Sequence, residues 1–504
     1  MLCCQRQQQK ERNMDKKKKG LNLIDFFMLG FGSIVGVGWA VASNGWMASG
    51  GGVIPSVLGF LFFTVILIPV GFCYAELTCA MPVFGGEVAF SYKAFGTFVS
   101  FICGWALALA YVILVPWEAI YINKLLALVI PTLEAGEPLY TLVGVDIYGP
   151  GVIVGIILSL FVISINWRGI RIAGKVQTTL GAFLAIVGVL IIILAFTKFN
   201  PDNLMPLYEN VGKGTHTSMF TGIMAMMIVA PFFLGGFDTI PQGAEEGVPG
   251  LNYNNLGKVI VLALLSAGIF YSLILFSTGA AIPWQEYSAY PRPALSLLFI
   301  TLYGNSFFGV LMYWLAWFAA LAGLFTTWNG FYIASARLLL GMGRARLIPK
   351  FFTTIHPKYG TPKGANLFIA VACLTAPFLG MGVIDPLTCA GGAGFVVGWF
   401  ITCTSAIRLR QIAPDMIRPY KAPGGLVSMW IAAVISAIIV VISFVPSLPS
   451  YVGSLATIIC IIWIALGLAF YAGSSSYRKA ISEEERVKSI FESTKKEELT
   501  EPVE

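Results

Sequence analysis

The first apolar segment of the chain contains the stretch Gly30-Phe31-Gly32-Ser33-Ile34-Val35-Gly36-Val37-Gly38. Glycine costs a helix about 1 kcal/mol relative to alanine, so four glycines within nine residues weaken a helix strongly. Three interpretations are open: a dinucleotide-binding turn, close helix packing through Gly32 and Gly36, or a broken helix whose freed amides face a cavity. A dinucleotide-binding turn needs a strand before it, and the flanking apolar helix argues against one.

A second stretch favours the broken helix. It reads Pro231-Phe232-Phe233-Leu234-Gly235-Gly236-Phe237-Asp238-Thr239-Ile240-Pro241, and it too interrupts an apolar segment. Interrupted helices at equivalent places in the two halves of a chain are typical of transporters built from inverted repeats. The sequence therefore predicts breaks in the first and sixth apolar segments.

The composition indicates a membrane protein. Of 504 residues, 57% are hydrophobic and only 11% are charged, whereas in a soluble domain about a quarter are charged. Apolar runs of about 20 residues span a bilayer as helices, and barrel strands are shorter and alternate. We predict an all-α membrane protein with twelve transmembrane helices, at residues 23–48, 53–77, 97–130, 148–166, 169–197, 217–240, 257–282, 306–341, 363–380, 386–409, 426–446 and 451–473.

These helices divide into repeats and flanking parts. The predicted inverted repeats, of five helices each, cover about residues 21–197 and 217–409, and two extra helices fill 426–473. The transporter domain thus spans 21–473, between a basic tail at 1–20 and a second tail at 474–504. A short external helix is predicted at 292–303.

The distribution of basic residues predicts the orientation. With a cytoplasmic N-terminus, only four of the 32 Lys and Arg residues fall outside, namely Lys124, Lys198, Lys213 and Arg292. Cytoplasmic loops carry such an excess of positive charge. We therefore predict cytoplasmic termini and a multi-pass protein of the plasma membrane. The net charge of +7 reflects this topology and gives no indication of nucleic-acid binding. The tract Lys16–Lys19 would anchor the first helix, with specific lipid binding as the alternative.

Few residues suit metal binding or catalysis. The nine cysteines show neither metal-type spacing nor an extracellular set, and the two histidines, His216 and His356, fall in separate loops. No metal or other cofactor is predicted, and an enzyme is disfavoured because no nucleophile and base come together. An ion channel is also disfavoured, because no repeated filter or ring of charges is visible.

The predicted breaks can bind a charged solute without charged side chains. The half-helix that begins near Val37 and Gly38 offers free N–H groups, which suit a carboxylate. The half-helix that ends between Phe232 and Gly235 offers free carbonyls, which suit an ammonium group. An α-amino acid carries both groups on one carbon.

Further motifs occur in a characteristic order: Tyr74-Ala75-Glu76-Leu77, Gly85-Gly86-Glu87, Asn166-Trp167-Arg168-Gly169, Gly235-Gly236-Phe237-Asp238 and His356-Pro357-Lys358-Tyr359-Gly360-Thr361-Pro362. Together they resemble the amino acid–polyamine–organocation permeases, over roughly Leu21 to Gly473. The resemblance implies a LeuT-like fold, alternating access and a site for an amino acid or amine at the bilayer midplane.

By position, the resemblance implies a set of site residues. The amides of Val37 and Gly38 would hold the carboxylate, the carbonyls of Ile34, Phe232 and Gly235 would hold the amino group, and Phe232 would cover the solute. Gly36 and Gly236 complete the two breaks. This chain departs from the family in two ways. Val37 stands where some members have a hydroxyl residue, and Leu184 stands where several have a lysine, which favours exchange or uncoupled uptake.

Acidic residues inside a membrane are costly and are usually functional. Glu118 is interpreted as a group that binds the substrate amine or a proton, as a structural hydrogen-bonding partner of a break, or as a residue at the membrane interface. Asp238 either organises the second break or acts in gating and proton binding. Glu76, Glu87, Glu245 and Glu246 fall at cytoplasmic helix ends, where salt bridges of an inner gate are expected.

The predicted function is secondary active transport of amino acids, by exchange or proton-linked uptake. An amine or polyamine permease is the alternative, and Glu118 is the residue that supports it. The small-molecule substrate, H⁺ as a candidate coupling ion and membrane lipid are the predicted partners. The sequence leaves open the particular substrate, the direction of transport and the oligomeric state.

Overall fold

The computed structural model describes residues 20–210, 218–290, 294–448 and 451–491. The basic tract Lys16–Lys19, with Lys213, His216 and Arg292, therefore lies outside the described residues, as does the end of the predicted C-terminal tail from residue 492 onward.

Helices make up most of the described chain. In order they are α1 Leu23–Ile34, α2 Gly38–Val41, α3 Ser43–Gly50, α4 Val53–Ala80, α5 Glu87–Phe95, α6 Thr97–Ala127, α7 Gly149–Trp167, α8 Ile170–Phe196, α9 Met219–Leu234, α10 Thr239–Gly243, α11 Tyr253–Ala281, α12 Trp284–Ser288, α13 Ala294–Tyr303, α14 Phe307–Arg344, α15 Lys363–Thr375, α16 Ile384–Ile412, α17 Gly425–Ser443, α18 Ser454–Gly473, α19 Ser475–Lys479 and α20 Glu483–Phe491.

Ten helices of the described residues are long and apolar enough to cross a bilayer: α1 taken with α2, and α4, α6, α7, α8, α11, α14, α16, α17 and α18. The segments Met219–Met227 and Val229–Glu246 qualify together across a bend of 40°. The all-α membrane architecture is thereby confirmed. α13 coincides with the short helix predicted at 292–303.

The predicted ninth helix, at 363–380, is shorter in the structure. α15 has 13 residues, and a short 3₁₀ turn at Ala376–Phe378 follows it. At 1.5 Å per residue α15 is about 20 Å long, less than the roughly 30 Å of a hydrocarbon core. Pro377 has no amide N–H, so the hydrogen bond to the Cys373 carbonyl that would continue α15 cannot form, which accounts for the early end.

The two ends of the described chain lie on one side of the helix bundle. Leu21 donates from its amide to the carbonyl of Glu246 (2.9 Å), and Glu246 pairs with Arg337 near the end of α14. Ser489 of α20 donates to the carbonyl of Arg344, the last residue of α14. We call this side the terminal face.

The opposite side carries a β-hairpin that the sequence did not predict. β1 (Tyr140–Leu142) pairs antiparallel with β2 (Val145–Ile147), through a turn at Val143 and Gly144. Both turn residues have positive φ, 49° and 73°, as a type I′ turn requires. We call this side the hairpin face.

Helix α1 is held at its start and enclosed along its length. The Asn22 side chain accepts from the amides of Ile24 and Asp25, and the Asp25 carboxylate accepts from the Asn22 amide, so a capping box fixes the first turn. Leu21 also forms an isolated parallel bridge with Gly247, beyond the end of α10. α8, α11 and α14 pack around α1, which places its interruption in the middle of the bundle.

The last two long helices, α17 and α18, lie at the periphery. α17 packs on α16 and α4, and α18 packs on α16 and α6. Only 22% and 17% of the most apolar windows of these helices are buried, against 78% in α6. They therefore border the bundle that contains the breaks.

Candidate functional site

The first break separates α1 from α2. The backbone leaves helical geometry at Val35 (φ −86°, ψ 78°), although the Val35 amide still donates to the carbonyl of Phe31 at 2.7 Å. The amides of Val37 and Gly38 have no hydrogen-bond partner among the described residues. Two adjacent N–H groups therefore remain free in a buried part of the bundle.

The second break follows α9. A continued helix would bond the Gly236 amide to the carbonyl of Phe232, but this amide donates to the carboxylate of Asp238 at 3.0 Å. Gly236 has a φ of +136°, which favours glycine, and helical structure resumes at Thr239. The Phe232 carbonyl thus loses its helical partner.

The two breaks lie against each other. A Cβ atom on Gly236 would fall 2.8 Å from the backbone nitrogen of Ile34 and 2.9 Å from the carbonyl carbon of Ser33. The Thr239 hydroxyl donates to the carbonyl of Gly236 (2.6 Å) and lies 3.3 Å from the Ser33 hydroxyl. The absence of a side chain at Gly236 is what allows the two backbones to touch.

Asp238 holds the second break in shape. One carboxylate oxygen accepts from the Gly236 amide and the other accepts from the indole N–H of Trp399 on α16, each at 3.0 Å. The Asp238 carbonyl accepts from the Tyr111 hydroxyl on α6, also at 3.0 Å. Both carboxylate oxygens thus have neutral donors, one from the break itself and one from α16.

Glu118 of α6 lies beside the first break. It is 1% exposed, and its Oε2 atom has no hydrogen-bond partner among the described residues. Its Oε1 atom lies 3.3 Å from the position that a Cβ would take on Gly36. This carboxyl group thus retains lone pairs next to the free amides, where it can accept a proton or an amine.

Phe232 is packed between helices. Its side chain is 4% exposed, and its ring centroid lies 5.7 Å from that of Trp117 on α6. On α16, the ring edge lies 3.0 Å from the position of a Cβ on Gly391. Phe233, which the sequence analysis did not select, lies 2.6 Å from a Cβ position on Gly38. The Phe233 ring therefore borders the first break, and the Phe232 ring fills space between α6 and α16.

Replacing Phe232 with alanine should weaken substrate binding more than it harms expression. The ring fills the space between Trp117 and Gly391, and its loss would admit water to the site, which a covering side chain normally excludes. We expect an increase in KM of about tenfold or more, as measured by radiolabelled uptake at matched protein levels. Phe232→Leu, which keeps an apolar side chain, is the control. Unchanged KM and rate in the alanine variant would remove Phe232 from the site.

Ion pairs join helix ends on the terminal face. Glu76 pairs with Arg410 (2.6 Å) and Arg418 (3.1 Å), Glu246 pairs with Arg337 (2.9 Å), and Glu245 lies 3.6 Å from Arg344. The expected salt bridges are present for these three acids. The last two pairs tie the chain that follows α10 to α14.

Glu87 differs from the other three acids. It is fully buried in the first turn of α5 and accepts a hydrogen bond from the Gln242 side chain, and no ion pair to it occurs in the described chain. Its Oε1 atom has no partner among the described residues. Burial raises the pKa of the Glu87 carboxyl well above its usual range, and the nearby Asp238 carboxyl adds to the rise. The salt bridge expected for Glu87 is therefore wrong.

Leu184 lies beside the first break. Gly323 of α14 lies between Leu184 and the first break. A Cβ atom built on Gly323 would fall 2.7 Å from the Cδ1 atom of Leu184 and would overlap the carbonyl oxygen of Gly36. The Leu184 side chain is fully buried. No positive charge is therefore supplied to the break by this part of α8.

Sequence reasoning missed two hydroxyl contacts to the first break. Tyr271 of α11 donates to the Ile34 carbonyl at 2.7 Å, and Thr327 of α14 donates to the carbonyl of Gly32 at 3.2 Å. One lone pair of the Ile34 carbonyl, predicted to hold an amino group, is therefore occupied. Neither Tyr271 nor Thr327 belongs to a motif, and each is one of several polar residues spread along a long, mainly apolar helix.

The family model described as amino acid permease matches residues 21–466, a range that includes both breaks. The chain belongs to the amino acid permease family. This permease is accordingly a transporter of small molecules and not an enzyme.

Similar proteins agree with this assignment along most of their lengths. The permease is 25% identical to a methylthioribose transporter of Bacillus subtilis (strain 168), over 90% of this chain and 92% of the relative. It is 24% identical, with the same coverage, to the branched-chain amino acid permease BcaP of that organism. An aspartate-proton symporter from the same source is 23% identical over 81% of the permease and 76% of its own length.

Proposed function

We propose that this permease is a secondary active transporter of amino acids that works by alternating access. The observation that carries the proposal is the pair of free amides at Val37 and Gly38, which lie opposite a second break whose Phe232 carbonyl lacks its helical partner. Free N–H groups attract a carboxylate and free carbonyls attract an ammonium group. The two breaks therefore offer complementary groups for the carboxylate and the ammonium group of a zwitterion.

The proposed topology has twelve transmembrane helices, with inverted repeats at about 21–197 and 217–409 and with α17 and α18 outside them. Both described ends of the chain lie on the terminal face, which supports an even number of crossings. Breaks in the first helix of each repeat, and the peripheral position of α17 and α18, support the same arrangement.

The proposed orientation places the terminal face in the cytoplasm, in a protein of the plasma membrane. Arg337, Arg344, Arg410 and Arg418 lie at helix ends on this face. An excess of basic residues near the ends of membrane helices is the usual mark of the cytoplasmic side.

The proposed transport mode is exchange, with proton-linked uptake through Glu118 as the alternative. Leu184 offers no charge that could alternate with a cation at the first break. Glu118, by contrast, is a buried acid with an unpartnered oxygen beside that break, and such an acid can carry a proton.

An amine or polyamine permease is the second candidate function. Glu118 favours it, because an unpartnered carboxylate next to the substrate site would stabilise a second positive charge. Counterflow in liposomes, with each amino acid set against its decarboxylated amine, separates the two candidates. Counterflow with the amine but not with the amino acid would exclude the amino acid proposal.

The free amides can be tested directly. Val37→Pro removes one N–H group at a residue whose φ of −86° proline nearly matches, whereas Val37→Ala retains it. A hydrogen bond to a charged group contributes about 1.5–3 kcal/mol, so Val37→Pro should weaken amino acid affinity by tenfold or more. Val37→Ala should bind almost normally. Equal affinity in the two variants, measured by binding to purified protein, would show that this amide does not hold the carboxylate.

A further inference from the structure

A groove of about 630 Å³ runs between α7, α8 and α14, away from the breaks. Its walls are mainly apolar, and it includes the side chains of Phe161, Phe183 and Phe325. Phe161 is 52% exposed and Phe183 is 36% exposed, so the groove opens on the outer surface of the bundle. In a bilayer such a surface contacts lipid chains.

One end of the groove carries positive charge. Lys175 lines it, is exposed, and forms no ion pair with any described residue. Lys175 is the sixth residue of α8, which begins on the terminal face, where Thr361 donates to the Trp167 carbonyl. Arg168, in the turn between α7 and α8, is also exposed. Among the described residues that line the groove, none is acidic.

The wall of the groove is connected to the first break. Asn329 of α14 lines the groove, and its amide donates to the Gln177 side chain and to the Ala173 carbonyl of α8, both at 3.0 Å. The Gln177 amide in turn lies 2.9 Å from the position of a Cβ on Gly32 in α1. Two side chains therefore separate the groove from the broken helix.

We propose that this groove binds an anionic phospholipid, with an acyl chain along its apolar walls and the headgroup at Lys175, and that the bound lipid braces α8 and α14 behind the first break. The complementary charge favours an anionic over a zwitterionic headgroup, since basic residues beside membrane helices attract anionic lipid. An apolar groove closed by a cation at one end suits the chain and headgroup of one lipid. Lipid binding at this groove does not depend on the proposed transport function, whereas the bracing role rests on it.

Binding is tested by native mass spectrometry of the purified permease with phosphatidylglycerol and, separately, with phosphatidylcholine. We expect the wild type to retain more phosphatidylglycerol than phosphatidylcholine. Lys175→Gln should retain about fivefold less phosphatidylglycerol than the wild type, because one cation near anionic lipid contributes about 1 kcal/mol. Lys258→Gln is the matched control, because Lys258 is also an exposed sixth residue of a helix that begins on the terminal face, α11. Equal retention by both variants would overturn the headgroup assignment.

The groove itself is tested by Thr179→Trp, which fills it from an exposed position on α8. Counterflow is compared in phosphatidylcholine vesicles with and without phosphatidylglycerol. The wild type and Lys258→Gln should be stimulated several-fold by phosphatidylglycerol, and Lys175→Gln and Thr179→Trp should not. Equal stimulation of all four proteins would overturn the bracing role. Because retention is measured without transport, a failure of the lipid site can be distinguished from a failure of the proposed function.

Discussion

Gly236→Ala should abolish transport, although the protein should still fold and reach the membrane. The new Cβ would fall 2.8 Å from the Ile34 nitrogen, and alanine disfavours the φ of +136° found at this position. The two breaks would have to separate. A displacement of about 1 Å at a working site costs about a hundredfold in rate, so uptake should fall to near background.

The matched control for this variant is Gly243→Ala in α10. A Cβ there would make ordinary contacts, at 3.6 Å, with Leu21, Leu29 and Phe26. Uptake and surface expression are measured together for both variants. Normal uptake by Gly236→Ala would show that contact between the two breaks is unnecessary for transport, whereas equal loss in both variants would indicate general damage to α10.

Glu118→Gln should abolish gradient-driven accumulation and leave counterflow largely intact, if Glu118 carries the coupling proton. Glutamine keeps the shape of the side chain but cannot cycle a proton, and exchange does not require the carrier to return empty. Asp238→Asn should instead reduce both modes together, because the Asp238 carboxylate accepts from both the Gly236 amide and the Trp399 indole. An amide group can accept through its oxygen only, so one buried donor would be left unpaired, at a cost of about 1–3 kcal/mol.

The two variants serve as controls for each other. Accumulation under an inward proton gradient and counterflow without a gradient are measured in the same liposome preparations. If Glu118→Gln loses both activities equally, Glu118 supports the first break and does not couple protons. If Asp238→Asn loses accumulation alone, the coupling role belongs to Asp238.

The interruptions could be predicted because their cause is local. Glycines at Gly36, Gly38 and Gly236 weaken a helix wherever it packs. The effect of Pro377 is equally local, but the helix at 363–380 was predicted to continue past it. Salt bridges of acids at helix ends could also be predicted, since Glu76 does pair with arginines. These properties depend on composition over a few residues, which a single sequence displays directly.

The partners of the breaks could not be predicted in the same way. Tyr271 and Thr327 reach the first break because of how α11 and α14 are rotated about their axes. In a helix that is apolar all round, the periodicity that would reveal such a rotation is weak. The rotation of a helix about its axis also decides the partner of Glu87. The sequence predicted an ion pair, but the Glu87 carboxylate accepts a hydrogen bond from the Gln242 side chain.

The bridge between Leu21 and Gly247 has a consequence for gating. It joins the residues just before α1 to the segment just beyond α10, and that segment carries Glu245 and Glu246, which pair with arginines of α14. One backbone segment, residues 245–247, therefore connects both broken helices to α14. In the proposed alternating-access cycle, release of this shared segment would free both half-helices together, so that solute release on this face would meet a single barrier.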